Sequence, residues 1–145
     1  MSRDDVNRMT KNQYHNIKDM KTFNVIEYLK KEPFDMDEFL VMIGRAELLS
    51  LEEEKDLVIK ARQGDDEAMN TLLWSKAHFV INLVCQYQNK GTSIQELLYV
   101  GMLALRNAVV EYDVHSEESL IKFAVPQMRE VLEKLLKRYK DEYAD

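Results

Sequence analysis

With a single cysteine, Cys85, the chain has no second thiol with which to close a disulfide, so its stability has to come from burial. Proline and glycine are scarce, 2 and 4 residues in 145. Their scarcity removes much of the turn chemistry that a sheet-rich fold needs and leaves Leu, Glu, Lys and Met, which favour helix. No apolar run approaches the roughly 20 residues of a membrane span, and the N-terminus "MSRDDVNRMTKNQYHN" contains no apolar signal core. The histidines His15, His78 and His115 are far apart, no HExxH pairing occurs, and Cys85 has no companion at metal-ligand spacing. A glycine-rich phosphate loop is also missing. The expectation is a cytoplasmic, non-enzymatic protein with no catalytic residue, no metal and no cofactor.

What is present points to an all-α fold. The length suits one domain with a core large enough to need no staples. Charge is uneven. Residues 1–34 carry 7 Lys/Arg against 5 Asp/Glu, while the rest carries 13 against 21, giving −6 for the whole. Affinity for a nucleic-acid backbone comes largely from cations that displace condensed counterions, so an acidic body argues against strong nonspecific binding and leaves room only for a local site.

Residues 1 to about 20 are polar, without sustained periodicity, and are expected to form a mobile arm. "FNVIEYLKK" reads as a short helix ending near Pro33, and "DMDEFLVMIGRAELL" places Phe39, Leu40, Ile43 and Leu48 near helical spacing. "SLEE" at Ser50 is a capping-box signature that opens a helix from Leu51 to about Gln63, which Gly64 stops. Asp65 or Asp66 can cap the next helix, whose stripe runs through Met69, Leu72, Leu73, Val80, Leu83, Val84 and Tyr87. "SIQE" repeats the capping signature at Ser93, and Leu97, Leu98, Gly101, Leu105, Ala108, Val109 and Tyr112 carry a further helix. A last segment follows from Leu120 to about Lys140, where Pro126 predicts a break around residues 124 to 126. Its basic end, Lys134, Lys137, Arg138 and Lys140, matches a helix dipole, with Glu133 and Lys137 as an i,i+4 pair. The domain plan is an arm over 1–34, partly mobile, and a compact helical domain over 35–145.

From about 36 to 138, "FLVMIGRAELLSLEEEKDLVIKARQGDDEAMNTLL" followed by "FVINLVCQYQNKGTSIQELLYVGMLALRNAVVEYD" resembles region two of the sigma-70-type RNA polymerase initiation factors and the segment before it. The resemblance implies a compact helical bundle that docks on the polymerase clamp and separates promoter strands. The family's clamp-binding helix reads like D-L-I-x-E-G-N-x-G-L. Here "ELLYVGMLAL" keeps the acid as Glu96 and the buried frame as Leu97, Leu98, Gly101 and Leu105, while Tyr99, Val100 and Met102 replace polar residues. On this basis Glu96, Tyr99, Val100, Met102, Leu105 and Arg106 are the polymerase- or partner-binding candidates.

The family's melting helix resembles F-x-S-Y-A-x-W-W-I-R-Q, with aromatics that stack on unpaired bases. In "LIKFAVPQMRE" Phe123 keeps an aromatic and Arg129 a cation, but Pro126 and Gln127 stand where two tryptophans would be, and Glu130 and Glu133 follow. Stacking contributes roughly 1–3 kcal/mol per base, so the loss of both rings removes much of any affinity for an opened strand. The DNA-facing candidates are Lys76, His78, Lys122, Phe123 and Arg129, and Trp74 reads as core. The implied partners are core RNA polymerase or another transcription protein, with promoter DNA weak alone; self-association is left open. Two roles follow, an initiation factor or regulator with weakened promoter melting, or an adaptor or decoy that uses the same fold to bind protein and not DNA.

Overall fold

The computed structural model describes residues 24–143, so the arm expected over the first 20 or so residues lies outside it. Among the described residues are the helices α1 (Val25–Leu29), α2 (Met36–Gly44), α3 (Leu51–Arg62), α4 (Asp66–Val84), α5 (Ile94–Glu111) and α6 (Leu120–Tyr143), with a 3-10 turn at Cys85–Tyr87 and no strand. The all-α expectation holds. Each helix begins where a short polar side chain accepts an otherwise orphaned N–H: Asn24, Asp35, Ser50, Asp65, Ser93 and Ser119 do so in turn. At Ser50 the capping box is complete, since the Glu53 carboxylate reciprocates by accepting the Ser50 N–H. At Ser93 it is one-sided. Glu96 turns away and accepts hydrogen bonds from the Thr92 hydroxyl at 2.9 Å and the Tyr139 hydroxyl at 2.6 Å, exchanging a local cap for a tertiary link to α6. Gly64 ends α3 with φ +96°, a conformation that glycine adopts without a Cβ penalty.

The chain divides into two compact units, one up to Ser75 and one from Lys76. In the first, Tyr28 of α1 and Phe39 of α2 pack against Trp74 of α4, which is 2% exposed. The Trp74 ring meets Phe39 edge-on at 5.6 Å, and Tyr28 lies 5.8 Å from Phe39. Burial, and then the Glu38 carboxylate beside it, hold the Tyr28 phenol protonated well above the usual tyrosine range. The buried Asn70 side chain accepts the Val25 N–H at 2.8 Å, tying α1 to α4. Thus the stretch 25–29, within the sequence-defined arm, is helical with Val25, Ile26 and Leu29 buried. On α2 the apolar spacing does not translate fully into burial. Phe39 and Met42 are buried, but Leu40, turned about 100° from Phe39, is 47% exposed, and Leu48, beyond the end of the helix at Gly44, is 91% exposed.

In the second unit, α5 packs along α6 and against the end of α4. A Cβ built on Gly101 would lie 3.1 Å from Val80 Cγ1 and 3.4 Å from Val84 Cγ1, so glycine sets how closely these helices approach. From α6, Leu120, Ala124, Met128 and Leu132 are fully buried at a spacing of four. No break occurs at Pro126: α6 is one helix from Leu120 to Tyr143 with the proline inside it. The reason lies in the face that Pro126 occupies. It sits about 200° around the helix from Ala124, on the exposed side with Lys122, whose carbonyl would have accepted the missing N–H and can be hydrated instead. The helix keeps its length because the buried stripe is uninterrupted. Pro126→Ala is therefore expected to stabilise the protein by about 2 kcal/mol, the helix-propensity gain less the lost rigidity of the unfolded chain. A rise in urea midpoint at unchanged slope would show it; no rise would mean that the proline is strain-free.

Candidate functional site

The buried side of α5 is formed by Leu97, Leu98, Gly101, Ala104, Leu105 and Ala108, among others. Opposite them the helix presents Tyr99, Val100 and Leu103, all half-buried, and then Arg106, Asn107 and Val110 on the exposed side. The sequence-derived partner face therefore divides. Tyr99 and Val100 are half-buried and Arg106 exposed, whereas Met102 and Leu105 have no exposure. Met102 follows Leu98 by four residues, so the helical period itself turns it inward. Glu96 is half-buried and held by Thr92 and Tyr139. Two positions absent from the sequence-derived list, Leu103 and Val110, complete a row with Tyr99 and Arg106 at intervals of four, three and four; Val110 is 58% exposed. That 4-3-4 interval was the available signal.

The DNA-facing candidates fall into separate groups. Lys76 and His78 come together around a ring that the sequence reading did not select. The His78 and Phe79 rings are 4.1 Å apart and tilted by 37°, and Lys76 Nζ stands 5.8 Å from the Phe79 centroid, with Phe79 itself 41% exposed. Phe79 is three residues after Lys76, a spacing that puts both on one helix face. On α6, Phe123 is half-buried and its ring packs at 5.7 Å against Tyr112, whose hydroxyl donates to the Glu118 carbonyl. Lys122 is exposed. Arg129 Nη1 donates to Gln86 Oε1 at 3.0 Å and to the Tyr87 hydroxyl at 3.2 Å, and that hydroxyl in turn donates to Glu133 Oε1 at 3.4 Å. Glu133 is thus engaged with Tyr87, and the i,i+4 pair that forms on α6 is Lys134 with Glu130 at 2.9 Å. In the first unit, a hollow of about 370 Å³ is ringed by Glu47, Glu53, Asp56, Asp65 and Glu67 with Lys60 among them, a predominantly acidic surface that disfavours phosphate.

Among the described residues no three His, Cys, Asp or Glu side chains are grouped to hold a metal ion, and no helix is long and apolar enough to cross a membrane. The arrangement offers faces for binding: an apolar row on α5, an aromatic-cation cluster on α4 and a clamped arginine on α6.

No protein-family model matches the chain. It is similar to an RNA polymerase sigma-28 factor of Bacillus thuringiensis subsp. kurstaki, at 25% identity over 105 residues, covering 72% of this chain and 44% of that protein. That relative is a sigma-70 family member, so the resemblance read from the sequence is borne out as a distant relationship. The chain spans less than half the length of this curated relative.

Proposed function

We propose that this chain is a sigma-70-like transcription initiation factor or regulator, a binding protein that works in the cytoplasm by docking on core RNA polymerase and that has a weakened capacity to open promoters. The observation that carries the reading is the row Tyr99, Leu103, Arg106 and Val110 on α5, whose spacing over three turns is that of a helix which packs against a coiled coil. The row lies outside the fully buried core, with Tyr99 and Leu103 half-buried and Val110 exposed, and its apolar members gain by being covered further. Weakened melting is supported by Phe123, whose ring is engaged with Tyr112, and by the absence of aromatics at Pro126 and Gln127.

The test is capture of purified core polymerase by the full chain. Leu103→Asp with Val110→Asp should lower affinity at least about tenfold while the circular dichroism spectrum stays unchanged. Undiminished capture would remove α5 as the docking face. Permanganate footprinting on a supercoiled promoter library should show no bubble that depends on this protein; a bubble lost in Phe123→Ala would show that melting survives. Polymerase-free duplex of arbitrary sequence is expected to bind more weakly than about 1 µM at physiological salt, as the acidic body and Glu130 dictate. Submicromolar binding would overturn that expectation.

The second reading, an adaptor or decoy without DNA contact, is favoured by one feature, the concentration of apolar side chains on α5 where the related helix of the family is polar. Capture of polymerase without any gain in promoter occupancy would select it.

A further inference from the structure

The second unit contains an open groove of about 860 Å³ between the turn at Lys90 and Gly91 and the last described turns of α6. Its charge balance is the reverse of the acidic hollow in the first unit, with three lysines against the carboxylates of Glu133 and Asp141. Lys90 contributes from the turn and Lys137 and Lys140 from α6, the latter two three residues apart and therefore on one face. None of the three makes an ion pair with a carboxylate among the described residues. Between them lie Leu136 and the rings of Tyr87 and Tyr139, with Lys90 Nζ 6.0 Å from the Tyr87 centroid. Both tyrosine hydroxyls are engaged, Tyr87 with Arg129 and with Glu133 and Tyr139 with Glu96, so the groove offers ring surface and ammonium donors, with the carboxylates of Glu133 and Asp141 also in its lining.

We propose that this groove binds a free nucleoside polyphosphate, with the base against Tyr139 and Leu136 and the phosphates gathered by Lys90, Lys137 and Lys140. The volume lies within the range of small-molecule sites, roughly 300–1,000 Å³. An aromatic and apolar floor beside three lysines, which outnumber the two lining carboxylates of Glu133 and Asp141, calls for a ligand that is flat at one end and polyanionic at the other. A continuous polynucleotide fits less well, because the stretch of α6 lining the groove begins at Glu133 and ends at Asp141, and a phosphate backbone running through would meet a carboxylate at each end. Those two residues are about 12 Å apart along the helix, enough for one compact ligand. With both hydroxyls committed and the two carboxylates at the ends of the helical stretch, the base is held by its ring face, so purine triphosphates should bind alike.

The experiment is calorimetric titration of the full chain with GTP, ATP, inorganic tripolyphosphate and an oligothymidylate strand at physiological salt. GTP and ATP are expected to bind within about threefold of each other and at least about tenfold tighter than tripolyphosphate or the strand. Lys137→Gln with Lys140→Gln should weaken GTP at least about tenfold with unchanged helicity. Tyr139→Leu should bring GTP down to the level of tripolyphosphate, and Tyr139→Phe, which keeps the ring, should not. Equal binding of GTP and tripolyphosphate would reduce the groove to an adventitious anion site. Tighter binding of the strand would make it a polynucleotide groove. Either result, or the absence of saturable GTP binding, overturns the proposal.

Discussion

Trp74→Ala is expected to destabilise the protein by about 3–5 kcal/mol, the usual cost of emptying a large aromatic site in a core. The indole is 2% exposed and sits in a ring cluster with Phe39 at 5.6 Å and Tyr28 at 6.4 Å. Phe34 extends that cluster, 5.8 Å from Phe39. Each such pair contributes about 0.5–1.5 kcal/mol beyond its buried area, so the substitution removes two ring contacts as well as a side-chain volume. Against a total stability of about 5–15 kcal/mol this leaves a marginal first unit. Trp74 is the sole tryptophan, so the variant has to be followed by circular dichroism in urea and not by fluorescence. A loss under about 1 kcal/mol would mean that the cluster closes over the gap and that the ring is not what holds α1 and α2 to α4.

Met102→Asp should be more damaging still and should separate core from contact face on α5. Met102 has no exposure, with the buried Leu98 and Leu105 on the same side of the helix. A carboxylate there is shut off from water, and a buried charge left unpaired costs several kcal/mol, comparable with the whole stability of the fold. The expected result is loss of cooperative unfolding in the second unit and exposed apolar surface that binds dye. Leu103→Asp, one residue along and half-buried, is the control and should leave helicity intact. If Met102→Asp folds normally and loses only partner capture, Met102 belongs to the binding face after all.

These two substitutions mark where sequence reasoning succeeds and where it stops. Ser50, Ser93 and Asp65 were legible as helix starts because a cap is a local exchange, one side-chain oxygen for one backbone N–H three residues on. Trp74 was legible as core because large aromatics on an apolar stripe are rarely anywhere else. The direction of Met102 was not, since comparison with the family's polar helix counted a changed residue as an exposed one. Nor was Phe79, which periodicity alone assigns to no partner and which the structure places between His78 and Lys76.

By itself, then, the sequence determined the helical class, the placement of the helices, the absence of staples and the kinship with polymerase initiation factors, since propensity, capping and apolar period act over three or four residues. Tertiary structure decided the rest. Whether Pro126 breaks α6 depended on which face it shared with Lys122, and whether Glu96 closes a capping box depended on Tyr139, 43 residues away. The convergence of Lys90, Lys137 and Lys140 on one groove required α6 to run past the turn that follows α4. Such outcomes are contests between a local preference and a distant partner. The distant partner wins when burial or a hydrogen bond across the fold outweighs the roughly 1 kcal/mol that a single local preference contributes.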